Sequence, residues 1–97
     1  MPTSRADVTT ERASRYLQQL CKHWAHKFAV EFDPTHGTID LSMGRIVLDA
    51  YASALHVVVR TDEGGSLQRL ESVVADHIKR FAFREELTFD WKPAPAA

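Results

Sequence analysis

Histidine is the one side chain whose ordinary pKa lies near neutrality, so the five histidines in this 97-residue chain are where chemistry is sought first. His23 and His26 stand three apart in residues 17–28 (LQQLCKHWAHKF), where apolar residues recur at helical spacing. Two imidazoles on adjacent helical turns are the beginning of a metal site. A complete site needs a third or fourth nitrogen, sulfur or carboxylate on the same point, and no acid lies four residues from either histidine. His23 and His26 are therefore weak metal candidates, and no metal or other cofactor is expected. Tyr16, His23 and Lys27 fall on one flank of the same helix at spacings of seven and four. In the second half of the chain, His77 sits between Val74 and Phe81 at the border of another apolar stripe, with Arg84 on the same flank. An imidazole there must find a hydrogen-bond partner or suffer desolvation. Its plain role is an edge histidine bonded to backbone. If the two flanks meet, Tyr16, His23, Lys27, His77 and Arg84 line one cationic groove suited to a small anionic ligand. Each helix has two flanks, and spacing does not say which pair meets.

The remaining chemistry is sparse. Cys21 is the single cysteine, so no internal disulfide forms, and its place on the apolar stripe makes it a small core residue rather than a reactive thiol. The histidines nearest to it in sequence, His23 and His26, point to other sides of the helix, which discounts a cysteine–histidine nucleophile. No GxSxG, Walker loop, dinucleotide fingerprint, HExxH or CxxC occurs, and Gly64-Gly65 reads as a turn.

The elements that must position these groups follow from periodicity. Residues 5–9 alternate Ala6 and Val8 against polar neighbours, a brief edge strand. Thr9 or Thr10 caps a helix over residues 11–28 whose stripe is Ala13, Leu17, Leu20, Cys21, Trp24 and Phe28, with Glu11 at the positive end of its dipole. Arg12, Arg15, Gln19, Lys22 and His26 face water. The period then drops to two: Val30 and Phe32, Ile39 and Leu41, Ile46, Leu48 and Ala50, then Leu55, Val57 and Val59. Turns are expected at residues 33–37, at 42–45, where Gly44 can take a positive φ, and at 62–65. Ser66 opens a second helix with Leu67, Leu70, Val74, Ile78 and Phe81 inward, ending near Phe83 or Arg84. Leu87, Phe89 and Trp91 alternate as a last strand, and residues 92–97, with Pro93 and Pro95, form a disordered tail.

A sheet with one apolar face and two helices with one apolar stripe each predict an α+β fold. It is a two-layer sandwich of a largely antiparallel sheet with both helices on one face, in the order β-α-β-β-β-β-α-β, spanning residues 1–91 as one domain. The other sheet face is left uncovered. It is mostly charged and can meet solvent, the preferred reading, while Val47, Tyr51 and Val58 amid opposite charges could also support a homodimer.

Composition narrows the partners. With 44% hydrophobic residues there is enough apolar bulk for one core, and a net charge of −1 argues against nucleic acid. No apolar run approaches the roughly 20 residues that cross a bilayer, and the N-terminus carries no signal-peptide pattern, so a soluble cytoplasmic protein without membrane contact is expected.

Residues 20–28 (LCKHWAHKF), 39–50 (IDLSMGRIVLDA), 77–87 (HIKRFAFREEL) and 89–91 (FDW) resemble the bacterial domain-of-unknown-function family DUF2218, over about residues 4–91. The resemblance implies small bacterial cytoplasmic proteins, some associated with siderophore utilisation, with no established activity. The expected function is non-enzymatic binding of a partner protein or small anionic ligand, with a link to iron or siderophore physiology. The alternative is a small enzyme or metal-binding protein that uses the histidines of the groove.

Overall fold

Alternation that turns small or branched apolar residues to one face builds the sheet. The computed structural model describes residues 3–61 and 66–93. Along the chain run β1 (Thr3–Thr9), α1 (Ala13–Trp24), β2 (Ala29–Phe32), β3 (His36–Leu41), β4 (Gly44–Ala50), β5 (Ala54–Thr61), α2 (Leu67–Phe81) and β6 (Lys92–Pro93). The order is the one periodicity predicts. These strands form one antiparallel sheet, β2-β3-β4-β5-β1-β6.

On the inward face Ala6, Val8, Ile39, Ile46, Leu48, Leu55, Val57 and Val59 are buried beneath Leu17, Leu20 and Cys21 of α1 and Leu70, Val74 and Ile78 of α2, in one contiguous core. Both helices thus cover one face, the α+β two-layer arrangement. Burial of this apolar surface is the main stabilising term. Among the described residues no helix is long and apolar enough to cross a membrane.

Three details differ from expectation, each for a local reason. First, β1 is not an edge. It pairs along its whole length with β5, from Thr3↔Arg60 to Thr9↔Ala54, and its start is flanked by β6. Second, α1 is shorter than residues 11–28. The Thr10 hydroxyl accepts the Arg12 N–H at 3.0 Å, closing a turn just ahead of the helix, and the Trp24 carbonyl accepts from both Lys27 (3.0 Å) and Phe28 (2.9 Å), which ends it. Third, residues 87–91 do not pair. Leu87 is buried and Phe89 and Trp91 pack against the core with their rings stacked 5.9 Å apart, so the alternation there anchors side chains without a ladder. The final strand is instead Lys92–Pro93, inside the stretch read as tail, and it is fixed by Ser4 donating from its hydroxyl to the Lys92 carbonyl at 3.2 Å. The turn expected at 62–65 and the tail from 94 lie outside the described residues.

One cap and one turn follow the sequence. Ser66 accepts from the Arg69 N–H at 3.2 Å at the start of α2. Gly44 holds φ +156°, and a Cβ there would sit 2.2 Å from the Arg60 carbonyl oxygen, so a side chain is excluded on both counts.

Candidate functional site

Of the five residues proposed for one groove, four are divided between two neighbouring places and Lys27 lines neither. Where α1 meets α2, the His23 and His77 rings lie 5.2 Å apart, Trp24 is 4.8 Å from His77, and Phe81 is 6.1 Å from His23. His77 is half-buried, and its Nδ1 lies 2.7 Å from the Val73 carbonyl. Since a carbonyl only accepts, Nδ1 carries the proton and a neutral His77 keeps its lone pair on Nε2. The His23 pKa is lowered from 6.5, chiefly by desolvation of its ring, then by the positive charge available on His77, His26, Lys27 and Arg80.

Tyr16 and Arg84 lie elsewhere, in a cleft of about 240 Å³ lined by Arg12, Arg15, Tyr16, Phe81, Phe83 and Arg84. Phe81 borders both places. Lys27 follows the last turn of α1 and is not among the cleft-lining residues.

The organising group of the cleft is Glu85, which sequence reading did not single out. Its Oε2 accepts hydrogen bonds from the Tyr16 hydroxyl, from Thr10 Oγ1 at 3.1 Å and from Arg12 Nη1 at 3.1 Å. Together these donors hold its pKa below 4.5, the Tyr16 bond being the largest cause. Tyr16 responds oppositely: burial first, then the Glu85 carboxylate, raises its pKa above 10.0. Tyr16 is almost wholly buried rather than half-exposed on a flank. A tyrosine so near the apolar stripe demands a partner for its hydroxyl, and that demand was the available signal for an acceptor such as Glu85.

The cleft is cationic. Glu85 pairs Arg12, whereas Arg15 and Arg84 form no ion pair among the described residues. Arg84 lies 5.5 Å over the Phe83 ring, whose residue is 79% exposed. Arg12 caps α1 and Arg15 and Tyr16 stand at its start, so the positive end of the helix dipole adds to the field. Guanidinium groups beside aromatic rings suit an anion carrying an apolar or planar part.

The other chemical candidates are quiet. Among the described residues no three or more His, Cys, Asp or Glu side chains converge as metal ligands, and His26 is exposed. Cys21 is buried, and burial pushes its thiol up to about 11, where it holds its proton and fills space.

With this geometry in view, comparison with known proteins is informative. Residues 5–92 match the family described as an uncharacterized protein conserved in bacteria, DUF2218. The chain belongs to this family. Among solved structures, the NMR structure of PA4090 from Pseudomonas aeruginosa shares 41% sequence identity, and the alignment covers 99% of this chain and 100% of that one with a TM-score of 0.79. No curated protein sequence matches the chain. The fold of this DUF2218 domain is therefore shared with a natural bacterial relative, and the chemistry of the cleft must be argued from its own residues.

Proposed function

We propose that this DUF2218 domain is a non-enzymatic binding module whose cleft takes a small anionic ligand. The observation that carries the reading is the pair Arg15 and Arg84, both lining one cleft at the positive end of α1 and neither neutralised by a described carboxylate. At about 240 Å³ the cleft is smaller than the roughly 300–1,000 Å³ of most ligand pockets, so it suits a compact anion or the acidic end of a larger molecule. Glu85 supports this role by fixing Arg12 and Tyr16 in the cleft wall. The finer version, a ligand from iron or siderophore physiology, rests on the family resemblance alone.

The test is a chemical-shift titration with inorganic phosphate, sulfate and benzoate in turn. Shifts should concentrate at Arg12, Arg15, Tyr16, Phe83 and Arg84, weaken as salt rises, and disappear in Arg15→Ala/Arg84→Ala. Shifts scattered over the surface, or unchanged in that double variant, refute the reading. The alternative, metal or catalytic use of His23 and His77, draws on their close rings and on the lone pair left on His77 Nε2. Stoichiometric zinc, iron or copper in protein purified without a histidine tag would favour it.

A further inference from the structure

What the cleft beside Glu85 lacks narrows its ligand as much as what it holds. The Tyr16 and Thr10 hydroxyls both donate to Glu85 Oε2, and Arg12 Nη1 does so at 3.1 Å. Each hydroxyl has a single proton, so neither has one left for a ligand. Arg15 and Arg84 form no ion pair among the described residues, and a guanidinium offers five N–H donors and no acceptor. No carboxylate, amide or imidazole stands among the described side chains that line the cleft. A ligand amine there would meet like charge with nothing to accept from it. The head group that fits is one that only accepts, a deprotonated acid. The rest of the lining is aromatic. Tyr16 is almost wholly buried and Phe81 half-buried, whereas Phe83 is 79% exposed and takes no part in the core. The Arg84 guanidinium lies 5.5 Å from the Phe83 ring centre, and that degree of exposure leaves much of the ring open.

We infer that the ligand of this cleft is a one-ring aromatic carboxylate, an assignment that rests on the anion-binding reading above and names its chemical class. The carboxylate is held by Arg15 and Arg84, and the ring of the ligand lies on Phe83. Carboxylate and guanidinium are both planar and pair through two parallel N–H···O bonds, and an aromatic carboxylate is flat throughout, so the same plane can serve the fork and the stack. Aromatic pairs gain energy beyond the area they bury, which gives an exposed phenylalanine at the rim a use that the core does not supply. Phosphate and sulfate share the charge and offer nothing to Phe83. An aliphatic acid shares the head group and apolar bulk but has no π face. The cleft, at about 240 Å³, falls below the roughly 300–1,000 Å³ of most ligand pockets, which favours a single ring with its acid group over a nucleotide.

Titrations of the full chain at one fixed low salt concentration, followed by NMR, test the assignment with benzoate, cyclohexanecarboxylate, acetate and inorganic phosphate. Benzoate should bind about fivefold more tightly than cyclohexanecarboxylate, the margin an aromatic pair adds over burial alone, and more tightly than acetate or phosphate. Its ring protons should move upfield and show cross-relaxation with those of Phe83. Phe83→Leu keeps apolar bulk at an exposed position and removes the π face, so the ratio of benzoate to cyclohexanecarboxylate affinity should fall toward one. Benzoate that binds no better than cyclohexanecarboxylate or phosphate, or a ratio unchanged in Phe83→Leu, overturns the aromatic assignment. In that event, anion binding that still disappears in Arg15→Ala/Arg84→Ala leaves the anion site standing without its aromatic ligand. If none of the four anions binds at the cleft, both readings fall. Should Phe83→Leu fail to fold by circular dichroism, the wild-type ratio and the cross-relaxation to Phe83 decide.

Discussion

Glutamine at position 85 keeps the shape of glutamate and an acceptor oxygen while removing the charge that three donors share. Those donors are the hydroxyls of Tyr16 and Thr10, on residues 2% and 4% exposed, and the Arg12 guanidinium. A hydrogen bond to a charged group contributes about 1.5–3 kcal/mol, but the Glu85 side chain is 22% exposed, so water replaces part of what is lost. Glu85→Gln should therefore cost about 1–2 kcal/mol near neutrality, and Glu85→Ala, which orphans two buried hydroxyls, about 2–4 kcal/mol. The pH dependence separates this from a packing effect. Because the folded pKa of Glu85 lies below its ordinary 4.5, its contribution is present above pH 4.5 and is lost as pH falls through the folded value. Asp7, bonded to His56, and Asp33, bonded to the backbone N–H and hydroxyl of Thr35, are lowered as well and bend the wild-type curve on the acid side. The informative quantity is thus the difference between wild type and Glu85→Gln in urea unfolding, followed by circular dichroism from neutral pH down into the range where the carboxylate protonates. That gap should shrink steadily below pH 4.5. A gap that stays constant with pH, or is absent at neutrality, refutes the account of Glu85 as a charged acceptor.

Three further outcomes are expected. Trp24→Ala removes a large aromatic that is 7% exposed and packs on His77, and should lower unfolding stability by about 3–5 kcal/mol in urea. Gly44→Ala combines a φ unfavourable to side chains with a backbone collision at Arg60, and should cost at least about 2 kcal/mol, read as a thermal midpoint lower by roughly 8 °C or more. In histidine-resolved NMR titration, His23 should protonate below 6.5, so its linked stability falls as pH drops from 6.5 toward the folded value. Because His77 contributes to that depression, His77→Gln should move the His23 midpoint upward, and an unmoved midpoint contradicts the contact.

Much of the layer arrangement was legible because it depends on periods of 3.6 and 2 that solvent itself enforces. The stripe from Ala13 to Trp24, the inward residues of β3, β4 and β5, the Ser66 cap and the turn at Gly44 all follow from such local rules. What failed was non-local. Alternation through Leu87, Phe89 and Trp91 looks like a strand, yet these residues satisfy burial by lying on the core, while Lys92–Pro93 takes the ladder beside β1. Nothing in residues 3–9 says that β1 has neighbours on both sides. The site shows the same division. Helical spacing placed His23 and His77 on their flanks, but the 69-residue separation between Tyr16 and Glu85 is bridged only by the tertiary fold. Arg12 and Arg15, read as a water-facing side, line the cleft because the segment after α2 folds back over the start of α1.

The inward position of β1 also constrains the order of events in folding. Every partner it has on β5 lies between 45 residues away, Thr9 with Ala54, and 57, Thr3 with Arg60, and its other neighbour comes later still. During synthesis β1 is made first and stays unpaired while the hairpins from β2 to β5 form by short closures. Only when β5 is complete does β1 acquire a template, so its capture along the β5 edge follows the hairpins and precedes the docking of β6. A nascent or damaged chain lacking that capture exposes Val57 and Val59 beside an open row of backbone donors and acceptors, the state in which one molecule can accept the first strand of another.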